Sequence, residues 1–425
     1  MLKGLKHLFI RGDNKVLFSN YFSLSILQVA NYILPLITLP YLIRVLGIDK
    51  YGLIIFANII IFYFNILTDY GFNLSATRAI SVSRNNWEKV SVIFSSVMYI
   101  KILLVTISFI TLSLIVFNVS LLKHDWYIYY FTFGMVIGHA LFPVWFFQGI
   151  EKMKYITILN ITAKLIFTIA IFIFIREESD YIYVPIINSS GFIIAGLISL
   201  WIILYKYKVS ISSPHFESIR KLFIDSTKLF ISDLSVSLYY STTTLILGVF
   251  TDLSYVGIYS SMEKIITALK SLFLPLYQAL FPFLSKKRET DINYIIRKMI
   301  SIVGLSSLAI ALIVILNAEI ILTVLYNQPN ILQYKIILQI LAMIIFFGAI
   351  NMLFNYLYLS SIKAYRERMY IMLCCGIINI LSVSIMTYYF NIYGTAVAIT
   401  CTELLLLLFG IYYYRKLSSK LSLSI

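Results

Sequence analysis

The chain contains twelve apolar runs, each long enough to cross a bilayer as a helix. A transmembrane helix needs about 20 apolar residues at about 1.5 Å per residue. Of the 425 residues, 60% are hydrophobic and 12% are charged, whereas soluble proteins carry about 25% charged residues. The sequence therefore predicts an all-α polytopic membrane protein. The predicted spans are residues 21–46, 51–74, 91–117, 126–150, 155–175, 181–205, 226–250, 256–284, 299–322, 333–358, 370–390 and 392–414.

The basic residues are distributed unevenly over the loops between these spans. Of the 34 Lys and Arg residues, 25 fall in segments on the side of the two termini, and four fall in loops on the other side. This is the bias that the positive-inside rule describes, so we expect both termini in the cytoplasm. The remaining five lie in spans or at span ends: Lys101, Lys164, Lys264, Lys270 and Lys335. For Lys101 and Lys335 we expect side chains that reach the membrane surface.

The eighth predicted span carries a polar stripe on an otherwise apolar helix. Charges near the bilayer centre cost at least about 2.5–3.5 kcal/mol, so they face a bundle interior or a water-filled path. The pattern leaves two interpretations open, a structural Glu–Lys pair or a polar cavity through the membrane. Pro275 lacks a backbone donor and is expected to bend this span, which frees the carbonyl of Ser271. The stripe consists of Ser260, Glu263, Thr267, Lys270, Ser271 and Gln278.

Similar stripes occur in spans 1, 2 and 7. One stripe alone is explained by hydrogen bonds between helices, but equivalent stripes in spans 1, 2, 7 and 8 indicate two six-helix halves that line a polar path. Lys164 is also mid-span, on one face with Thr157, Asn160 and Thr168. The stripes comprise Gln28, Asn31, Pro35 and Thr38 in span 1, Asn58, Asn65 and Asp69 in span 2, and Asp233, Ser237, Tyr240, Ser241 and Thr244 in span 7.

A short internal echo supports the two halves. Residues 46–54 join spans 1 and 2, and residues 249–259 join spans 7 and 8; each places an aspartate and then a glycine in a short outside turn. We therefore predict a parallel repeat, with one bundle over 1–205, a basic cytoplasmic linker over 206–225 and a second bundle over 226–425. In transporters built this way the substrate site lies between the halves.

The chain shows no catalytic motif. It lacks a Walker phosphate loop, paired-cysteine metal spacing and a histidine near a nucleophile, so we expect no enzyme, no cofactor, no metal site and no nucleic-acid partner. His139 is expected to be a hydrogen-bonded residue of the bundle. Without a nucleotide site, transport would depend on an ion gradient, the membrane potential or a separate motor. The carboxylates that could bind protons or sodium within the membrane are Asp69, Asp233, Glu263 and Glu403.

Three stretches of the first half resemble a known family. Residues 31–47 with the following Tyr51-Gly52, residues 69–78 and residues 143–153 are similar to the N-terminal region of O-antigen flippases. These proteins form the polysaccharide transporter branch of the multidrug/oligosaccharidyl-lipid/polysaccharide (MOP) exporter superfamily. The match covers about residues 20–155, and the second half agrees in span count and polar pattern.

The resemblance implies a flippase that moves an oligosaccharide repeat unit, linked to undecaprenyl pyrophosphate, from the cytoplasmic to the periplasmic leaflet of a bacterial inner membrane. It implies two six-helix bundles around a cationic cavity that opens alternately to each side. The expected partners are the lipid-linked oligosaccharide, membrane lipid, H⁺ or Na⁺ and a polysaccharide polymerase complex. We assign to the substrate path the cations Lys264, Lys270, Lys164, Arg44 and Arg78 and the polar residues Gln28, Asn31, Asn58 and Asn65.

Two other functions fit parts of the pattern. A multidrug and toxin extrusion pump would have the same helices and ion coupling, but it would favour an acidic, aromatic-lined cavity, whereas the central spans here also carry lysines. A membrane scaffold for glycan assembly would have no use for a polar interior. The flippase interpretation accounts for both the lysines and the stripes.

Overall fold

The computed structural model describes residues 12–212, 216–284 and 289–422. Over these residues the chain consists of helices joined by short turns and loops and contains no β-strand, which confirms the predicted all-α fold class. The two π-helical segments, Ile202–Lys206 and Met352–Tyr358, are left unnumbered. We number the α-helices of six or more residues. They are α1 (Gly12–Asp69), α2 (Phe72–Ser83), α3 (Trp87–Asn118), α4 (Trp126–Leu141), α5 (Val144–Gly149), α6 (Met153–Phe174), α7 (Tyr183–Trp201), α8 (Phe216–Phe250), α9 (Leu253–Ser271), α10 (Leu274–Leu284), α11 (Glu289–Leu316), α12 (Ala318–Leu325), α13 (Lys335–Asn351) and α14 (Tyr365–Ser422).

The two longest helices are broken where the sequence predicts that one span ends and the next begins. Gly47 interrupts α1 with a φ of 75°, and Asn391 interrupts α14 with a φ of 50°. The bend expected near Pro275 is also present, because α9 ends at Ser271 and α10 begins at Leu274. The fourth predicted span is interrupted at Pro143, whose ring disfavours a helical conformation of the preceding residue.

Eight helical segments among the described residues are long and apolar enough to cross a membrane. Two of them, Ile26–Ser83 with 58 residues and Tyr365–Ser418 with 54, contain the breaks at Gly47 and Asn391. A span needs about 20 residues, so each of these segments has the length of two crossings. The molecule is a multi-pass membrane protein, and the number of twelve spans stays a prediction.

The helices group into two units. One comprises residues 1–38 and 57–234, and the other comprises residues 39–56 and 235–425. This grouping differs from the predicted bundles 1–205 and 226–425, because residues 39–56 around the break in α1 pack with the second unit. A grouping by contacts does not test where the two predicted bundles begin and end in the chain, so the boundaries 1–205 and 226–425 stay a prediction.

In the first unit, small residues let α4 and α7 approach closely. An added Cβ on Gly138 would lie 2.6 Å from Cβ of Phe192, and one on Gly134 would lie 2.7 Å from Cβ of Ser189. Gly134 and Gly138 form a small-xxx-small pattern, which is how membrane helices gain packing contacts where lipid offers no hydrophobic drive. The Ser189 hydroxyl also donates to the carbonyl of Phe131 on α4 at 2.6 Å. This contact fixes the helix pair around which the first unit is built.

The predicted linker over 206–225 is partly packed structure. The backbone amides of Ser210 and Ser212 donate to side chains of α3, residues 213–215 lie outside the described residues, and α8 already begins at Phe216. Tyr70 is stacked between Phe223 and Phe230 of α8, with ring centroids 4.4 and 4.7 Å away. The first part of α8 therefore belongs to the first unit, because aromatic stacking holds it there.

In the second unit, α13 is the central helix. Most of its side chains are buried, and it packs against α9, α11 and α14. Its carbonyl at Ala349 accepts a hydrogen bond of 2.7 Å from the buried Tyr277 hydroxyl of α10. Tyr326, which follows α12, donates to the carbonyl of Ser261 on α9 at 2.9 Å. Buried tyrosine hydroxyls thus find backbone partners and fix the helices around α13.

Candidate functional site

A buried ion pair joins Lys101 and Asp69 in the first unit. Nζ of Lys101 lies 2.7 Å from Oδ1 of Asp69, and the Lys101 side chain is only 2% exposed. The second carboxylate oxygen of Asp69 accepts a longer contact of 3.5 Å from the Asn73 amide. The prediction that Lys101 reaches the membrane surface is wrong, because its carboxylate partner lies inside the unit. Asp69, a candidate for ion coupling, already has a cation of its own.

Lys164 is also directed into the first unit, but its partner is neutral. Its Nζ donates to Oδ1 of Asn31 at 2.6 Å, so two of the predicted path residues are brought together. The ring of His139, expected to be a hydrogen-bonded bundle residue, packs against Phe192 and is close enough to Lys164, Lys101 and Asp69 to interact electrostatically. The hydrogen-bond acceptor of Lys164 is thus a neutral amide oxygen and not a carboxylate.

The other predicted site residues of the first unit are more dispersed. Gln28 donates to the Tyr32 hydroxyl at 3.2 Å, and Oδ1 of Asn65 is buried and has no hydrogen-bond partner among the described residues. Asn58 is partly buried, whereas Asp233 and Arg78 are exposed. The side chain of Tyr240, in the stripe of span 7, lies outside the described residues.

In the second unit, Lys270 of α9 pairs with Glu403 of α14. Its Nζ lies 3.0 Å from Oε1 of Glu403, and the two side chains are 18% and 6% exposed. The Asn351 amide donates to the other carboxylate oxygen at 3.1 Å, and the Asn355 amide donates to the side chain of Asn351. Asn355 lies in the π-helical segment after α13, a feature that is frequent at functional sites. Glu403 is thus held from two sides.

Lys264, six residues before Lys270 on α9, has a neutral partner instead. Its Nζ donates to the Tyr51 hydroxyl at 2.9 Å and lies 5.4 Å from the centroid of the same ring. The neighbouring Glu263 is partly buried and, among the described residues, forms no ion pair and accepts no hydrogen bond. Lys264 and Lys270 are close enough to Glu263 to interact with it electrostatically. Lys264 therefore resembles Lys164 of the first unit, because the hydrogen-bond acceptor of each ammonium is a neutral group.

The two echo segments of the sequence contact each other in the second unit. A Cβ added to Gly52 would lie 1.9 Å from the carbonyl oxygen of Leu253, and one added to Gly257 would lie 2.5 Å from that of Ile48. The Ser254 hydroxyl donates to Oδ1 of Asp49. We call this approach of the two backbones the glycine contact. It explains why each echo carries a glycine, since only glycine permits backbones to approach so closely.

Arg44 is exposed and donates to the carbonyl of Val324 at 2.6 Å. A backbone carbonyl leaves the guanidinium charged, but this side chain is tied to the end of α12. The structure thus separates the predicted cations into three groups. Lys270 is neutralised by a carboxylate, Arg44 and Arg78 are exposed, and Lys164 and Lys264 are partly buried with neutral partners.

Four residues of these networks were not among the predicted site residues. Lys101 was expected at the membrane surface. Asn351 and Asn355 lie in an apolar run and were not predicted as site residues. Their spacing of four residues within a span was the available signal, because amides one helical turn apart share a face. Tyr51 had no such signal, since its role depends on the contact with Lys264, which is 213 residues away in the chain.

Two of the stretches that carry the family resemblance pack against each other. The Thr77 hydroxyl of α2 lies 3.2 Å from Oε1 of Gln148 and 3.2 Å from the carbonyl of Trp145 on α5. Trp145 is completely buried, and a Cβ on Gly149 would lie 2.7 Å from the side chain of Ile80. These residues serve the packing of the first unit.

The fold is shared with solved transporters. The chain matches an inward-facing multidrug resistance MATE family transporter of the MOP superfamily with a TM-score of 0.73 at 13% identity, covering 94% of this chain and 99% of that one. It matches the lipid II flippase MurJ in an inward closed conformation with a TM-score of 0.68 at 17% identity, covering 92% and 87%. At such identities the likeness shows the fold alone.

Sequence comparisons give the family. A protein named "Putative O-antigen transporter" from Escherichia coli K12 is 29% identical over 390 residues, which cover 91% of this chain and 94% of that protein. One of the same name from Shigella dysenteriae is 25% identical over 393 residues, covering 92% and 98%. The family described as polysaccharide biosynthesis protein matches residues 17–288, more than half of the chain. The predicted resemblance is thereby confirmed, and the chain belongs to this polysaccharide biosynthesis family, with the fold of the MOP transporters.

Proposed function

We propose that this protein flips an oligosaccharide repeat unit, linked to undecaprenyl pyrophosphate, from the cytoplasmic to the periplasmic leaflet of a bacterial inner membrane. Membership in a polysaccharide biosynthesis family and two relatives named as O-antigen transporters support this class of substrate. The same support makes the protein a transporter and not an enzyme. Both termini lie in the cytoplasm in this proposal, as the distribution of basic residues predicts.

The observation that carries the proposal is the pair of lysines with neutral partners. Lys164 donates to an amide oxygen and Lys264 to a tyrosine hydroxyl, so each unit provides one partly buried ammonium whose hydrogen-bond acceptor is neutral. An isolated cation in a membrane segment is costly and is usually functional. A diphosphate carries several anionic oxygens and would compensate such cations, while the polyprenyl chain stays in lipid.

Ion coupling is part of the proposal, and the structure favours one carboxylate for it. Asp69 and Glu403 are paired with lysines, so protonating either would leave a buried cation unpaired, and Asp233 is exposed. Glu263 forms no ion pair among the described residues and is close enough to Tyr51, Tyr259, Lys264 and Lys270 to interact with them electrostatically. We therefore propose Glu263 as the site that exchanges H⁺ or Na⁺ during alternating access. Transport by Glu263→Gln should lose its dependence on the ion gradient.

A deletion strain tests the substrate. Complementation with the wild-type chain is compared with Lys164→Gln and Lys264→Gln at equal expression, and Lys335→Gln is the control because Lys335 forms an exposed pair with Glu319. Surface polysaccharide and lipid-linked repeat units are both quantified. We expect deletion to abolish the surface polymer while lipid-linked units accumulate facing the cytoplasm. The control should rescue fully, and the other two variants should rescue poorly.

Two outcomes would contradict the proposal. If the deletion strain makes normal surface polymer and becomes sensitive to cationic drugs, the protein is a drug exporter, the alternative that the MATE-like fold also accommodates. If Lys164→Gln and Lys264→Gln both rescue as well as the control, the two lysines do not bind the diphosphate.

Co-purification with a polysaccharide polymerase tests the proposed partner that would use the flipped unit.

A further inference from the structure

Tyr51 holds the ammonium of Lys264 without neutralising it. Tyr51 is 2% exposed, and its hydroxyl oxygen accepts a hydrogen bond of 2.9 Å from Nζ of Lys264. A lysine ammonium has three donors, and Tyr51 is its only hydrogen-bond acceptor among the described residues. Two donors of Lys264 therefore remain for a ligand, and the tyrosine fixes the direction in which they point.

The position of Tyr51 depends on the glycine contact beside it. Gly52 follows Tyr51 directly, and its backbone lies against α9 so closely that an added Cβ would be 1.9 Å from the carbonyl oxygen of Leu253. Gly257 and Lys264 are seven residues apart on α9, about two helical turns, so they lie on the same side of that helix. If the glycine contact separates, Tyr51 moves away from Lys264.

We infer that Tyr51 is a positioning residue that presents Lys264 to the diphosphate only while the glycine contact is closed. This inference rests on the proposed function. Since the same contact holds Tyr51 and closes the two echo turns, ligand affinity and contact closure are linked. By thermodynamic reciprocity, a diphosphate on Lys264 favours the closed contact, and separation of the contact weakens diphosphate binding by the same factor.

The linkage gives the transport step a direction. In the proposed topology, with both termini in the cytoplasm, the echo turns lie on the periplasmic side. A substrate that enters from the cytoplasm meets Lys264 held by Tyr51 and is bound tightly. When the glycine contact separates toward the periplasm, Lys264 loses the hydroxyl that oriented it, and the substrate is released on that side.

Cross-linking across the glycine contact tests the linkage. Cys374, Cys375 and Cys401, which are free thiols, are replaced by serine, and the pair Asp49→Cys/Ser254→Cys is introduced because these side chains are hydrogen-bonded. Disulfide formation in proteoliposomes is followed with increasing undecaprenyl pyrophosphate, and undecaprenyl monophosphate shows whether the second phosphate is needed. Tyr51→Phe removes the hydroxyl and keeps the ring. Tyr277→Phe is the matched control, because its hydroxyl is also buried and bonded but donates to the carbonyl of Ala349.

We expect undecaprenyl pyrophosphate to speed cross-linking in the parent pair. In Tyr51→Phe the half-maximal concentration should rise about tenfold, as expected for the loss of a hydrogen bond to a charged group, while Tyr277→Phe should behave as the parent. Equal shifts in both variants would reduce Tyr51 to a structural residue and overturn the inference. If the diphosphate leaves cross-linking unchanged in the parent while the deletion strain still accumulates lipid-linked units, the linkage is wrong and the flippase proposal stands. If the deletion strain makes normal polymer, the proposed function itself fails.

Discussion

Nζ of Lys270 lies 3.0 Å from Oε1 of Glu403, and both side chains are largely buried in apolar helices. The Asn351 amide donates to the second carboxylate oxygen. Moving two charges out of water costs more than their attraction returns unless further hydrogen bonds satisfy them, and Asn351 supplies one. The pair thus gives the second unit a neutral, ordered element next to Lys264.

Removing one member of this pair should destabilise the protein strongly. Lys270→Gln leaves the Glu403 carboxylate buried without a cation, which typically costs about 3–5 kcal/mol. The double variant Lys270→Gln/Glu403→Gln removes both charges and should be much closer to the wild type. Thermal unfolding in detergent, followed by size-exclusion chromatography, gives the melting temperatures of the wild type, the single variant and the double variant. Lys335→Gln is the control, since an exposed pair contributes about 0–1 kcal/mol; a double variant as unstable as the single one would contradict this account.

Gly348 leaves room for the Lys270 side chain. A Cβ at Gly348 would lie 2.5 Å from Cδ of Lys270, so Gly348→Ala should push the lysine away from Glu403 and lower stability in the same direction as Lys270→Gln. Gly304→Ala is a matched control, because its Cβ would meet only Cδ1 of Ile350 at 3.8 Å. Replacing a helical glycine by alanine without a clash stabilises by roughly 0.5–1 kcal/mol. Equal melting temperatures for the two alanine variants would show that Gly348 does not position Lys270.

The helical class and the main helix breaks could be predicted from the sequence because they follow from local properties. Apolar length defines the spans, Gly47 and Asn391 lie between two runs, and Pro275 removes a backbone donor beside the break in α9–α10. The interruption of the second predicted span at Tyr70 and Gly71, which both take positive φ values, was not expected. Their conformation reflects the stacking of Tyr70 on α8, a tertiary contact that span length does not reveal.

The partners of the charged residues could not be predicted, because they are set by packing between distant segments. Lys101 meets Asp69 across 32 residues, and Lys270 meets Glu403 across 133. A polar stripe does not distinguish a lysine that is paired with a carboxylate, such as Lys270, from one whose acceptor is a hydroxyl, such as Lys264. That distinction needs the identity of the atom that accepts from each Nζ.

The Lys101–Asp69 pair should be structural, with no part in ion coupling. Asp69→Asn leaves Lys101 charged and 98% shielded, which should cost about 3–5 kcal/mol and reduce the amount of folded protein. Asp69→Asn/Lys101→Gln should restore folded protein and support surface polymer in the deletion strain. Folded amount is measured by fluorescence size-exclusion chromatography and function by surface polysaccharide. A double variant that folds normally but makes no polymer would contradict a purely structural role and make Asp69 a candidate for ion coupling again.

Gly52 should not tolerate even a methyl group. The Cβ of Gly52→Ala would lie 1.9 Å from the Leu253 carbonyl oxygen, and a backbone atom cannot turn aside as a side chain can. The two segments must therefore move apart, with an overpacking cost of about 1–3 kcal/mol. Disulfide formation between Asp49→Cys and Ser254→Cys should become several-fold slower than in a parent without the alanine. Gly191→Ala is the control, because its nearest contact would be the Ala163 carbonyl oxygen at 3.3 Å, which a shift of a few tenths of an ångström relieves. Cross-linking as fast in Gly52→Ala as in Gly191→Ala would mean that the backbones at Gly52 and Gly257 do not need to touch.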